Sequence, residues 1–305
     1  MCPHGLWLNS IDHYLDNMRQ LGFNSIRLPF SEKTVIHMDH LVRTECVQSD
    51  MSNTTVRQMF HLLLSKTKAR NMTVLLDFHV IHDRITESPI DKDFTQTQFI
   101  ETWDAILFEY SHYQNILGVD IKNEPHGPVR WTTWAQFCRE FIYTIHNKHP
   151  DFKGMFFIEG LEDPYDASAW GGSFRRMGRY LRTPPLSDRV VFSPHLYGVS
   201  VRGETALNNM DFHMQEWFGF IIDVFPNPVV IGEIGGYNID SDLTWHQHVK
   251  TFLIERGIID FYYWAWNPDS FDTNGILEND WSTINCSKVQ FCTDLQANPS
   301  FPSFQ

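Results

Sequence analysis

Two glutamates stand where apolar runs stop. In residues 116–127, ILGVDIKNEPHG, a β-branched run ends at Asn123, Glu124 and Pro125; in PVVIGEIGG a second run ends at Glu233, with glycines behind it. Pro125 cannot donate to a sheet ladder and disfavours helical geometry at Glu124, so the strand is cut just after the carboxylate. A carboxylate at the carboxyl end of a buried parallel strand sits at the mouth of an α/β barrel, where sites in that architecture are built. Two such groups facing each other across a cleft meet the requirement of glycoside hydrolysis. One must be protonated to deliver a proton to the leaving oxygen, and the other ionised to attack or to activate water. Either glutamate alone reads equally well as a solvated strand end; the pair carries the argument. The last residues of the other expected strands add Arg27, His79, Glu159, His195 with Tyr197, and Trp264 to the same rim.

The elements that must position these groups follow from periodicity. Ile11, Leu15, Met18 and Leu21, stopped by Gly22, have the spacing of an amphipathic helix. NSIRLP is a strand. A helix over about 54–69, with Ser52 and Asn53 as candidate caps, buries Val56, Phe60, Leu63 and Leu64. The continuous apolar run in TVLLDF suits a parallel strand covered on both faces. Helices marked by Phe99, Trp103 and Leu107, and by Trp134, Phe137 and Phe141, flank ILGVDIK; MFFIEG, VVFSPH, a helix over 210–224, PVVIGE, a helix near 244–255 and FYYWAW complete the alternation. Strands alternating with helices spell βαβ units. Seven strands can be counted where a closed barrel has eight. The chain opens on a helix, so the first strand is expected to be missing from this sequence. One domain over residues 1–305 is expected, with 285–305 as an irregular tail.

Composition narrows the partners. The 305 residues are 42% hydrophobic and 20% charged, enough for one large core, and the 24 Phe, 10 Trp and 10 Tyr supply core volume and flat platforms for sugar faces. A net charge of −13 argues against nucleic-acid backbones and favours a neutral substrate. No apolar run is long enough to span a membrane. Five cysteines lack the close pairing of a zinc site, though Cys286 and Cys292 are candidates to close a small loop. The 15 histidines show no HExxH spacing, so no metal or other cofactor is expected. His82 and His126 read as loop residues, and Glu159 as a group supporting the pair. Sequons at Asn53, Asn71 and Asn285 suit a secreted glycoprotein, although the amino terminus lacks the pattern of a signal peptide.

The ordered set LGFNSIRLPF, VLLDFH, VDIKNEPHG, SPHLYG, VVIGEIGG and YYWAWNPDS resembles the cellulase group of glycoside hydrolase family 5, over about residues 5–281. The resemblance implies an α/β, (β/α)8 TIM barrel and a retaining double displacement on β-1,4-glucosidic bonds of cellulose or related β-glucans. It assigns Glu124 as acid/base with a raised pKa and Glu233 as nucleophile. Asn123 matches a residue that binds the sugar 2-hydroxyl, Arg27 an arginine beside the nucleophile, and His79 and His195 sugar-binding histidines. Tyr197 matches a tyrosine bonded to the nucleophile, Trp264 the platform under the sugar at the cleavage point, and Trp170 a further subsite aromatic. The implied partner is a β-glucan polysaccharide or oligosaccharide, and the protein is expected to be a monomer. A mannanase, a mixed-linkage glucanase or a glycolipid glycosidase would use the same carboxylates, and a carbohydrate-binding protein without turnover is the alternative if the first strand is absent.

Overall fold

The computed structural model describes residues 3–81, 88–90, 93–162, 168, 170–177 and 187–304, so His82 lies outside the described residues. The chain forms two compact units. The first comprises Met1–Asp120, Thr144–Gly154 and Asn298–Gln305; the second comprises Ile121–Tyr143 and Met155–Ala297.

In the first unit, α1 (Ile11–Gln20) starts at Ser10, whose hydroxyl accepts from the His13 N–H, and stops before Gly22 at φ +93°. Strand β1 (Ser25–Ser31) leads through the short α2 (Glu32–Ile36) to α3 (Val56–Ala69). The cap of α3 is Thr55 rather than Ser52 or Asn53: Thr55 and Gln58 form a capping box, two side chains satisfying two orphan N–H groups reciprocally. The same device, Thr95 with Gln98, opens α4 (Gln96–Tyr110) after β2 (Thr73–Val80), and β3 (Ile116–Asp120) follows. The three strands are parallel, in the order β1-β2-β3. Val74, Leu75, Leu76 and Phe78 of β2 are fully buried, as the unbroken apolar run requires. Phe78 stacks on Phe30 of β1 at 5.4 Å, and Trp103 of α4 meets Phe30 edge-on at 5.1 Å.

The second unit contains β4 (Met155–Ile158), β5 (Val190–Phe192), β6 (His195–Tyr197), β7 (Ile231–Gly235) and β8 (Phe261–Tyr263). Helix α5 (Trp131–Lys148) precedes β4 and buries Trp134, Phe137 and Phe141. Strand β4 pairs with β5, Phe192 bridges to Val229, and β6, β7 and β8 pair in that order, all parallel. The expected strand VVFSPH is therefore two strands. Pro194 has no N–H to donate, so the ladder is broken there, while the Pro194 carbonyl still accepts from Gly232 at 2.9 Å. All seven expected strands are present among the described residues, this one in two pieces.

Three further expectations need correction. Residues 210–224 are not one helix but α6 (Met210–Met214), a π-helical turn at Gln215–Gly219, and α7 (Ile221–Val224). The stretch after Asn285 is not irregular. Following α8 (Asp240–Glu255), Asn285 caps α9 (Cys286–Leu295), whose Lys288, Phe291, Cys292 and Leu295 turn one face inward at helical spacing. Cys286 and Cys292 are both free because both lie on α9, where six residues of rise separate them by about 9 Å, beyond the reach of a disulfide. Cys46 is disulfide-bonded.

Candidate active site

The second unit gathers Glu124, four residues past β3 in the chain, Glu159 directly after β4, His195 and Tyr197 on β6, and Glu233 within β7. His195 opens β6 directly opposite Glu233 on β7, and Tyr197 closes β6 opposite Gly235. The rings of His195 and Tyr197, two residues apart on one strand, leave the same face of the sheet. The Tyr197 hydroxyl donates to Oε2 of Glu233. Nδ1 of His195 lies 3.0 Å from Oε1 of Glu124 and 3.5 Å from Oε2 of Glu233, so one imidazole touches both carboxylates. An oxygen of Glu124 and one of Glu233 stand within 4.8 Å of each other.

Glu159, at the end of β4, completes the cluster and is fully buried. Its Oε1 is 3.2 Å from Nε2 of His195, and its Oε2 accepts the backbone N–H of Glu124 at 2.6 Å. Its own carbonyl accepts from the Trp134 indole at 2.9 Å, which fixes the strand end against α5. A Cβ on Gly171, at φ +70°, would sit 2.6 Å from Oε2, so only glycine leaves space for the carboxylate there. Glu124 itself has φ +44°, a conformation side chains seldom take, and its N–H is thereby turned onto Glu159.

The electrostatics follow from this crowding. Burial works against a charge on His195, but the Glu159 and Glu233 carboxylates, with hydrogen bonds to Glu124 and Glu159, outweigh it and hold the imidazole's pKa well above its ordinary value. The imidazolium thus supplies a positive charge among three acids. Glu124, His195 and Glu233 also have the spacing of a divalent-cation site. A metal there would have to displace the proton that His195 holds.

Of the remaining expected residues, Asn123 is buried beside Glu124, and its carbonyl accepts from the buried Lys122 ammonium. Trp264 continues from β8: its N–H donates to the Ile234 carbonyl of β7, and its indole donates to Ser270 at 3.1 Å. The Trp264–Ala265 peptide is cis. Trp170 is 40% exposed and stacks on His126, with ring centroids 3.9 Å apart and planes 3° from parallel. His126, read from the sequence as an ordinary loop residue, also donates from Nδ1 to the Glu124 carbonyl at 2.6 Å. Arg27 and His79 belong to the first unit. There Arg27 contacts Asp120 at 2.9 Å and Asp77 at 3.1 Å, and His79 donates to Asp77 at 2.7 Å. Both aspartates escaped the sequence reading, although each stands alone in an apolar strand.

The comparisons with known proteins agree with this chemistry. The family model for cellulase, glycosyl hydrolase family 5, matches residues 1–270. An endoglucanase of Paenibacillus polymyxa is 28% identical, covering 93% of this chain and 76% of its own length. The major extracellular endoglucanase of Xanthomonas campestris pv. campestris is likewise 28% identical, covering 96% of this chain and 64% of its own length. An endocellulase from Pyrococcus horikoshii, solved with cellotetraose, superposes with a TM-score of 0.86 at 28% identity, over 96% of this chain and 88% of that one. Parallel strands ending in paired carboxylates, on this fold, define a glycoside hydrolase of the (β/α)8 class. Within that class, the chain belongs to glycosyl hydrolase family 5, the cellulases.

Proposed function

We propose that the chain is a retaining, endo-acting β-1,4-glucanase that cuts internal bonds of cellulose or related β-glucans. The observation that carries the retaining mechanism is the approach of Glu124 and Glu233 to within 4.8 Å. Retaining pairs stand about 5–5.5 Å apart, whereas inverting pairs leave roughly 6.5–9.5 Å for a water. Glu233 attacks the anomeric carbon as the glycosidic C–O bond breaks, and Glu124 gives its proton to the departing oxygen. Water then loses a proton to Glu124 and opens the glycosyl ester, which restores both groups with the configuration retained.

Tyr197 supports the ionised form of Glu233 by donating to it, and His195 offsets the charge of the surrounding carboxylates. Asn123 takes the sugar 2-hydroxyl, Trp264 the ring at the cleavage point, and Trp170 a ring further along. Arg27 and His79 are assigned by motif, to the nucleophile and to sugar binding. The enzyme works as a monomer without a cofactor. Secretion is supported by the relative described as extracellular and by the sequons.

Soluble carboxymethyl cellulose tests the proposal. Viscosity should fall faster than reducing ends accumulate, and NMR of the first product should show the β-anomer. Glu124→Ala and Glu233→Ala should both fall to background; either variant keeping most activity overturns the roles. An α-anomer would exclude the double displacement, and a preference for mannan, mixed-linkage glucan or glycolipid in a substrate panel would redirect the specificity. Binding of cello-oligosaccharides by the folded protein without hydrolysis would select the non-catalytic reading.

A further inference from the structure

Behind the Tyr197–Glu233 pair lies a carboxylate that the reaction scheme does not use. Asp242, in the first turn of α8, is buried at 3% exposure. Its Oδ1 accepts the Ser200 N–H at 3.2 Å, and its Oδ2 accepts the Ser200 hydroxyl at 2.9 Å and the Asn238 N–H at 3.1 Å. The Ser200 hydroxyl in turn accepts the Tyr237 N–H at 3.2 Å. Ser200 lies three residues beyond Tyr197, in the helical turn Val199–Arg202 on the segment leaving β6; Tyr237 and Asn238 lie on the loop leaving β7, which carries Glu233. One carboxylate therefore holds both loops where they leave the sheet.

The backbone is shaped around this group. A Cβ at Gly198 would fall 2.1 Å from Oδ1, and one at Gly236 would fall 2.3 Å from Oδ2. Gly198 directly follows Tyr197, and its N–H donates to the Gly235 carbonyl at 3.2 Å, joining the two exits once more. Gly236, at φ +158°, gives its carbonyl to the Tyr263 hydroxyl at 3.3 Å. Two glycines in two different loops each leave room for one oxygen of the same side chain.

We infer that Asp242 is a positioning residue for the hydrolytic reaction: by tying the loops after β6 and β7 to the start of α8, it sets the Tyr197 hydroxyl against Glu233. The inference rests on the reading of Glu233 as nucleophile. The groups facing Asp242 are His246 on its own helix, Lys288 on α9 and Tyr263 on β8; those facing Glu233 are Tyr197, His195 and Glu124. An amide at position 242 would turn N–H groups toward N–H and O–H donors, and the clamp would loosen. A longer Tyr197–Glu233 bond supports the nucleophile's charge less well, so the acid limb of the rate profile moves to higher pH.

The test compares Asp242→Asn, Ser200→Ala, Tyr197→Phe and the double variant Asp242→Asn with Tyr197→Phe. Activity on a soluble cello-oligosaccharide is followed over about pH 4–8, below each variant's unfolding temperature. Asp242→Asn should lower kcat about 10-fold, leave KM within about two-fold, and raise the acid limb by roughly half a pH unit. Ser200→Ala should shift the limb in the same direction by less. In the double variant the limb should stay where Tyr197→Phe alone puts it, because the clamp then has nothing to position. An unmoved limb in folded Asp242→Asn, or full additivity in the double variant, overturns the inference. If Asp242→Asn does not fold, the limb of Ser200→Ala decides. Glu233→Ala separates the two failures: if it stays active, the reading of the site is wrong, and if it is inactive while the limb stays put, only the clamp is wrong.

Discussion

The backbone N–H of Glu124 donates to Oε2 of Glu159 at 2.6 Å, from a residue held at φ +44°. The left-handed conformation costs a non-glycine residue on the order of 1–2 kcal/mol, and a hydrogen bond to a buried charge is worth about 1.5–3 kcal/mol, enough to offset it. Glu159 thus sets the direction in which the Glu124 side chain leaves the backbone. Glu159→Gln should lower kcat about 10- to 100-fold in a protein whose circular dichroism spectrum is unchanged, this being the loss of one charged hydrogen bond. A variant with kcat near the wild-type value would remove Glu159 from the positioning of the acid.

His195 makes stability depend on pH. Its folded pKa lies well above that of the unfolded side chain because Glu159 and Glu233 outweigh the effect of burial. A group whose pKa is raised on folding contributes fully below its unfolded value, near 6.5, and loses that contribution as pH climbs toward the folded pKa. The free energy of unfolding measured in urea should therefore fall above about pH 6.5, by at most ~1.4 kcal/mol per pH unit from this group. In His195→Gln that part of the slope should vanish. Parallel slopes in the two proteins would show that the imidazole does not change its proton binding on folding.

What could be read from the chain depended on how local the cause was. The apolar run of β2 is a property of neighbouring residues and appears where the sequence puts it, whereas β3 ends at Asp120, four residues before the expected break at Glu124 and Pro125. The split of β5 from β6 has a local cause as well: Pro194 stands inside the expected strand and has no N–H for the ladder. The inward face of α9 was legible from the spacing of Lys288, Phe291, Cys292 and Leu295, but a buried lysine hid the pattern; burial lowers its pKa to about 8. The link from Glu159 to Glu124 joins two separate strand ends through a positive φ, and no spacing announces that. Gly198 and Gly236 meet only in space, around Asp242.

The stack of His126 on Trp170 divides two roles between two rings. His126 covers one face of the indole while its Nδ1 holds the carbonyl of Glu124, and Trp170 remains 40% exposed. If Trp170 carries a sugar, Trp170→Ala should raise KM for longer cello-oligosaccharides about 2- to 10-fold, the value of one aromatic contact at ~0.5–1.5 kcal/mol. His126→Phe keeps a flat ring against the indole but loses the N–H, so it should lower kcat with little change in KM. Kinetics on oligosaccharides of increasing length separate the two effects. A Trp170→Ala variant with the same KM at every length would leave the indole as a support for His126 alone.

Arg27 should matter most for stability. Asp77 and Asp120 face each other across the β2–β3 ladder, both fully buried, and like charges opposite one another repel. The guanidinium, 3% exposed, spans the pair at 3.1 and 2.9 Å, and His79 adds a donor to Asp77. Removing the cation from a buried network costs about 3–5 kcal/mol, because the remaining carboxylates keep their desolvation penalty without its compensation. Arg27→Ala should show that loss in chemical denaturation. Arg27→Lys should recover only part of it, since an ammonium on a flexible stem does not reproduce the planar fork. Lowering the pH should narrow the gap between wild type and Arg27→Ala as the aspartates become protonated, since neutral carboxyls need no cation. A loss below about 1 kcal/mol at neutral pH would mean that other contacts hold the two aspartates.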